Sequence, residues 1–252
     1  VKFGETHVES GIVDLRNAAV PNFGQDAILD KLLQKVKIGG SHSMVRYAGH
    51  NEFETRATLL QWAGLQGTRT KPEDLVLTYG SQNATLAAFM AVLRGHNPVI
   101  ATEMLVLPGT RRAAELVRAK LVGLAGDADG MTPKALEDLC RSERPQILHI
   151  AANIDNPTCK IMPPHRKAEI AEICRRYDVQ IVEDDGQRKF FNERQLSFID
   201  FSPERVWHVS SLSRYLAAGL RVGFLLYTLQ TIQNLLKICT NVIRLLPKSK
   251  AF

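Results

Sequence analysis

The sequence predicts an α/β fold, three layers deep (α/β/α), with a mainly parallel sheet between two sets of helices. Two observations predict it. From Asp74 onward, short apolar runs alternate with segments whose apolar residues recur at helical spacing. Alternation of this kind marks parallel strands joined by crossover helices that cover both faces of a sheet. In addition, four of the apolar runs end in polar turns marked by glycine, proline or serine. In open sheets of this class, ligands collect at the carboxyl ends of the strands.

Each element has its own signal. Residues 1–25 have weak periodicity and contain Pro21 and Gly24, which suits an extended arm. Ala27 to Val36 has helical spacing and stops before Gly39-Gly40, and Glu52 to Leu65 reads as a second helix. Asp74 to Thr78 is a short buried strand, and a helix opens at Ser81 and runs to Leu93. Pro98 to Thr102 and Lys120 to Leu124 read as strands flanking a helix over Pro108 to Ala119. Thr132 is an N-cap with Pro133 at the first helical position, opening a helix to Arg141. Gln146 to Ala151 is a strand, Pro164 to Tyr177 a helix with a wet side of Glu169, Glu172, Arg175 and Arg176, and Val179 to Glu183 a strand. Arg205 to Val209 and Arg221 to Tyr227 read as two further strands around a hydroxyl-rich turn, and Leu229 to Leu246 as a helix. The domain is expected over residues 26–228, with a C-terminal helix in residues 229–252.

Bulk properties exclude several classes. With 252 residues, 45% hydrophobic and 23% charged, the composition is that of an ordinary globular domain. No apolar run approaches the roughly 18 residues of a membrane helix, and the polar start VKFGETHVES is unlike a signal peptide. Cys140, Cys159, Cys174 and Cys239 show no paired spacing, which suits reduced thiols in a cytoplasmic protein, and no metal site is expected. The net charge of +6 comes from scattered Lys and Arg with no stripe or aromatic platform, so nucleic-acid binding is not expected. A basic balance does suit small anionic ligands.

Four turns carry candidate chemistry. Gly80-Ser81-Gln82 lies between a strand and a helix, where unpaired backbone N–H groups and a hydroxyl can bind an anion. A plain serine cap is the alternative. Asn156-Pro157-Thr158 follows another strand and can be an ordinary Asn-Pro turn. Asp184 ends a buried strand after Glu183, and a carboxylate at the base of a pocket needs a partner. The last turn offers Ser211 and Ser213, then Arg214, then Arg221 opening an apolar strand, an arrangement that aims hydroxyls and a guanidinium at one point.

The segment SSLSRYLAAGLRVG, residues 210–223, resembles the cofactor motif of pyridoxal-phosphate-dependent aminotransferases of fold type I. That motif is serine, any residue, serine, lysine, a small-residue run, Gly-Leu-Arg and Gly. The other turns resemble the same family in order, over about residues 10–240. The family includes the aminotransferase-like domain of bacterial fusion transcription regulators. The resemblance implies a large cofactor-binding domain, amino-group transfer between an amino acid and a 2-oxo acid, and a homodimer. It assigns phosphate contacts to Gly80, Ser81, Gln82, Ser211, Ser213 and Arg221. It gives Asn156 the phenolic oxygen and Asp184 the pyridine nitrogen. Leu107 stands where the family stacks an aromatic ring, Gln187 where many members have a tyrosine, and Cys159 where they have a glycine. Tyr47 resembles a tyrosine that reaches the neighbouring subunit's phosphate.

At the Schiff-base lysine position stands Arg214. An arginine effectively never sheds its proton, so it cannot form the covalent link that lysine forms. Lys160 and Lys189 lie outside the matching turn. The cofactor, if bound, is expected to be held noncovalently and catalysis to be impaired. The alternatives are a non-catalytic ligand sensor and a structural partner of an active homologue. The family's C-terminal small domain and the regulators' winged helix both fall outside residues 1–252.

Overall fold

The computed structural model describes residues 23–38, 52–65, 70–187 and 195–227. Helices α1 (Gln25–Ile38) and α2 (Glu52–Trp62) come first. The alternating part runs β1 (Leu75–Thr78), α3 (Ser81–Val92), β2 (Val99–Glu103), α4 (Pro108–Leu116) and β3 (Lys120–Leu124). A small hairpin follows, β4 (Gly126–Asp127) and β5 (Gly130–Met131). Then come α5 (Pro133–Glu143), β6 (Ile147–Ile150), α6 (Pro164–Arg176), β7 (Gln180–Asp184), β8 (Val206–Ser211) and β9 (Gly223–Tyr227). Residues 1–22 of the expected arm, Tyr47, Lys189 and the expected helix over Leu229 to Leu246 lie outside the described residues, and Gln25, expected in the arm, already belongs to α1.

Seven strands form one sheet in the order β1-β9-β8-β7-β6-β2-β3. β8, β7, β6, β2 and β3 run parallel, while β9 runs antiparallel to both of its neighbours, β1 and β8. Successive strand residues face opposite layers, and the burial follows this. Leu148, Ile181, Val206 and Leu226 pack with α2, α5 and α6, whereas Ile147, Val182, Trp207 and Leu225 pack with α3 and α4. Ala84, Ala87 and Ala88 on α3 let that helix lie close to the sheet, with Phe89 wholly buried between them. The three layers expected from the alternation are therefore present.

The differences from the expected elements are local. Thr132 caps α5 as expected, its hydroxyl accepting from the Ala135 N–H at 3.4 Å. The β4–β5 hairpin had no periodic signal because each strand is two residues long. It turns on Gly130, at φ 96°, and on Asp127, whose Oδ1 accepts from the Asp129 N–H. The last strand begins later than expected. Arg221 is not its first residue but sits two positions ahead in the left-handed region, at φ 53°. That turn redirects its side chain toward Gly80 instead of along the strand.

Candidate functional site

The carboxyl ends of four strands open on one cavity of about 450 Å³. After β1 it is lined by Ser81 and Gln82, after β6 by Ala151, Ile154 and Asn156, after β7 by Asp184, Gly186 and Gln187, and after β8 by Ser211, Ser213 and Arg214. Leu107, Gly109 and Thr110 close one side, and Arg221 another. Of the candidate residues, Gly80 stands just behind this wall and Tyr47 is not among the described residues.

Close backbone approach builds the end near β1. Gly80 is the residue before α3, at φ 82° and ψ 170°, a conformation open to glycine. Its missing side chain leaves room for Arg221, whose Nη2 lies 2.8 Å from where a Cβ would stand. The same guanidinium lies over the Tyr79 ring, 5.6 Å from its centroid, which fixes its plane. Asn83 Oδ1 accepts from the Tyr79 N–H at 3.2 Å and holds the turn. The first N–H groups of α3 have no partner within the helix, so Ser81 and Gln82 present backbone donors beside the Ser81 hydroxyl. Gly109 makes space for the Gln82 side chain, which passes 2.3 Å from its would-be Cβ. Two hydroxyl turns, a helix N-terminus and a guanidinium thus face one point.

The opposite end is acidic and is held from behind. Strand alternation sends Asp184 into the cavity and sends Glu183 and Asp185 to the other side of β7. There Asn153 donates to Asp185 at 2.9 Å, and Lys167 donates to Asn153 at 2.7 Å. His208 lies 3.3 Å from Glu183 and 3.8 Å from Asp185. Ser197 Oγ and the Phe198 N–H donate to Glu183. Burial alone would raise the Glu183 carboxyl, but His208, Ser197 and Lys167 outweigh it and hold it below the ordinary range. This buried network was not legible in advance. Its members are spread from Asn153 to His208, and no local spacing joins them.

Asp184 itself is pushed up to about 6, chiefly by burial and further by Asp185. The Gly186 N–H, which donates to it at 3.3 Å, and the charges of His208 and Arg214 pull the other way. Arg214 is placed by a turn in which Tyr215 and Leu216 both donate to the Leu212 carbonyl, while Tyr215 meets Trp62 edge to face at 5.1 Å.

The Asn156-Pro157 peptide is cis, and Cys159 takes the left-handed conformation at φ 57°. Its N–H closes the loop on the Asp155 carbonyl at 2.8 Å. The glycine-like geometry is therefore kept with a cysteine in place.

A second cavity, about 390 Å³, lies at the ends of β2 and β3 and shares only Ala151 with the first. Met104, Leu105, Leu124, Met131 and Met162 give it an apolar lining, with Glu103, Asp155 and Lys160 at its polar positions. Lys160 donates to the Asp127 carbonyl at 2.5 Å and lines this second cavity rather than the first. Burial and the nearby Asp155 push the Glu103 carboxyl up to about 8, against one hydrogen bond from the Ala151 N–H.

An open α/β sheet with its polar residues converging at the strand ends is the arrangement in which α/β domains place small-ligand sites. The chain belongs to the aminotransferase class I and II family, whose model matches residues 12–248. It is 28% identical over 176 residues to the mitochondrial kynurenine/alpha-aminoadipate aminotransferase of Mus musculus, covering 64% of this chain and 41% of that protein. It is also 28% identical over 158 residues to an uncharacterised HTH-type transcriptional regulator, YdeF, of Bacillus subtilis, covering 63% of this chain and 34% of the regulator. The chain thus spans less than half the length of these relatives. Among solved structures, an archaeal alanine:glyoxylate aminotransferase superposes with a TM-score of 0.77 at 24% identity, covering 89% of this chain and 57% of that one. The alpha-aminoadipate aminotransferase LysN of Thermus thermophilus, solved with N-(5'-phosphopyridoxyl)-L-leucine, superposes at 0.74 and 23% identity, covering 89% and 58%. These structural likenesses establish the fold. Among the described residues, no helix is long and apolar enough to cross a membrane.

Proposed function

We propose that this chain binds pyridoxal 5'-phosphate noncovalently in the cavity at the ends of β1, β6, β7 and β8, and that its inherited amino-group transfer between an amino acid and a 2-oxo acid is impaired. One observation carries the reading: a cavity with phosphate donors at one end and Asp184 at the other has Arg214 in its wall instead of a lysine. The donor set fits the cofactor. A dianionic phosphate needs several N–H and O–H donors and a cation, and Ser81, Gln82, Ser211, Ser213 and Arg221 supply them. The cradle left by Gly80 is filled by the Arg221 guanidinium, which orients it for a planar, bidentate grip.

When bound, the cofactor supplies an electron-withdrawing ring and a carbonyl that amines can add to. This chain's residues would do the rest. Asp184, as the carboxylate, would pair with the protonated ring nitrogen and hold that proton in place. Asn156 and Gln187 would donate to the phenolic oxygen, and Leu107 would cover one ring face and exclude water. A guanidinium is neither a nucleophile nor a base, so Arg214 would supply neither.

The whole protein's substrate would be an amino acid or oxo acid, and its working state a homodimer; light scattering that gave the monomer mass would remove the latter point. The free thiols Cys140, Cys159 and Cys174 suit a reducing, cytoplasmic setting. Two relatives are HTH-type transcriptional regulators, which favours a ligand-sensing role as the second reading.

Titration with pyridoxal phosphate tests the proposal. Saturable binding is expected, with no stoichiometric fixation of the cofactor to a lysine by borohydride. Arg214→Lys should gain a visible absorbance band and borohydride-fixed cofactor. Cofactor fixed stoichiometrically to a lysine of the unaltered chain would overturn the noncovalent reading, and absence of binding would overturn the site.

A further inference from the structure

The cavity at the ends of β2 and β3 has the make-up of a ligand site in its own right. At about 390 Å³ it falls in the size range of small-molecule pockets, which combine an apolar lining with a few placed polar groups. Leu124, Met131, Ala152 and Met162 line it and are buried, while Met104 and Leu105, which also line it, are exposed. Large apolar side chains exposed beside an apolar cavity gain from being covered. Gly130 gives the Met162 methyl its place, 3.2 Å from where a Cβ would stand. Three thioethers therefore line the space. Such unbranched, polarisable side chains adapt to a ligand's outline and make favourable contacts with aromatic rings.

Glu103, Asp155 and Lys160 supply the polar positions. Lys160 Nζ is engaged by the Asp127 carbonyl, and Asp155 accepts from the Thr158 hydroxyl. Glu103 Oε2 accepts from the Ala151 N–H at 3.2 Å. Burial first, then Asp155 beside it and Asp184 at the end of β7, push the Glu103 carboxyl up to about 8, against that one N–H. At pH 7 it is mainly the neutral acid, which brings an O–H donor to an apolar wall. A group that meets this O–H has to accept a hydrogen bond. A charged group would also have to give up its water to a mostly apolar lining, which is costly.

We propose that this cavity is a second ligand site, for a small uncharged molecule with an aromatic body and a carbonyl oxygen, whose ring lies among the methionine thioethers and whose oxygen accepts from Glu103. No bond is made or broken on binding. The proposal does not rest on the cofactor reading, since the lining of this cavity shares only Ala151 with the first.

Four near-isosteres separate the requirements: acetophenone, neutral with a carbonyl; α-methylstyrene, neutral without one; benzoate, an anion; and benzamidinium, a cation. Each is titrated into the unaltered chain without added cofactor, and the methionine methyl resonances are followed. Acetophenone is expected to shift the Met131 and Met162 methyls saturably and to leave Met90, on α3, unmoved. It should bind at least about threefold tighter than α-methylstyrene and about tenfold tighter than either ion. Raising the pH from 7 to 9 should weaken acetophenone by about fivefold or more, because the carboxylate has no proton to donate. Glu103→Gln keeps a donor at every pH and should bind acetophenone without that dependence. Ala152→Leu adds bulk to this cavity and not to the first, and should weaken acetophenone by about tenfold or more. Benzoate or benzamidinium binding as tightly as acetophenone would overturn the class of ligand. Shifts that survive Ala152→Leu would put the binding elsewhere and overturn the site, as would the absence of saturable shifts. None of these failures touches the first cavity, which pyridoxal phosphate titration reads separately. The isostere series on the unaltered chain decides the matter even if the variants fold poorly.

Discussion

A Cβ built on Gly223 would stand 2.5 Å from the Gly80 carbonyl carbon. The contact is backbone against backbone, so neither side can swing away. Gly223 opens β9, opposite Thr78 of β1 and Ser211 of β8, and this is why the Gly80 and Ser211 turns come so near each other. Gly223→Ala is expected to cost about 1–3 kcal/mol of stability through overpacking. It should also push the Gly80 and Ser211 turns apart and weaken binding of a phosphate ligand. Thermal unfolding and phosphate-ligand titration check both effects; an unchanged melting temperature would contradict the contact.

Glu103 makes stability fall as pH rises. Its carboxyl is pushed from 4.5 up to about 8 by burial. A raised folded pKa means that its contribution is fully present below about 4.5 and is lost as pH climbs through 8. Glu103→Gln should therefore match the parent in acid and exceed it in alkali, by up to about 3 kcal/mol once partial solvent screening is allowed for. Urea unfolding at several pH values measures the divergence.

His149 acts on the acid side. Neither ring nitrogen has a hydrogen-bond partner, and the ring lies edge-on to Phe89 at 5.9 Å. Burial lowers it from 6.5 to about 4, so the fold keeps it neutral. Its contribution is present above about 6.5 and is lost as pH falls through 4. His149→Leu should remove that acid sensitivity, worth roughly 3 kcal/mol at most, with little change at pH 7. Parallel acid-unfolding curves for the two proteins would refute it.

Asp184 should make ligand binding depend on pH. With its carboxyl near 6, protonation below that value removes the anion that a protonated pyridine nitrogen needs. Pyridoxal phosphate affinity is expected to drop as pH falls from 7 to 5 and to change less in Asp184→Asn over the same range. Equilibrium dialysis at fixed ionic strength reads the difference.

Much of this was legible in the sequence, and for identifiable reasons. The layers follow from alternation, because buried parallel strands read as short apolar runs and their crossover helices as periodic ones. Ser81, Asn156, Asp184, Ser211 and Arg214 could be grouped because each lies at the end of a strand or in the turn after it, and strand ends share one rim. Three kinds of feature were hidden. Arg221 looked like the start of a strand because its left-handed backbone leaves no trace in residue type. The hairpin at Asp127 and Gly130 is too short to have a period. The cluster of Lys167, Asn153, Asp185, Glu183 and His208 joins a helix, two strand-end turns and a pair of strands in which Glu183 stands opposite His208, a combination no single segment encodes.

Ala151 deserves a last consideration as a partition. Among the described residues it is the one common to the linings of both cavities. The two cavities therefore meet at one small side chain. Bulk added at that position is expected to narrow both at once. A larger side chain there would take space from the polar cavity and from the apolar one together.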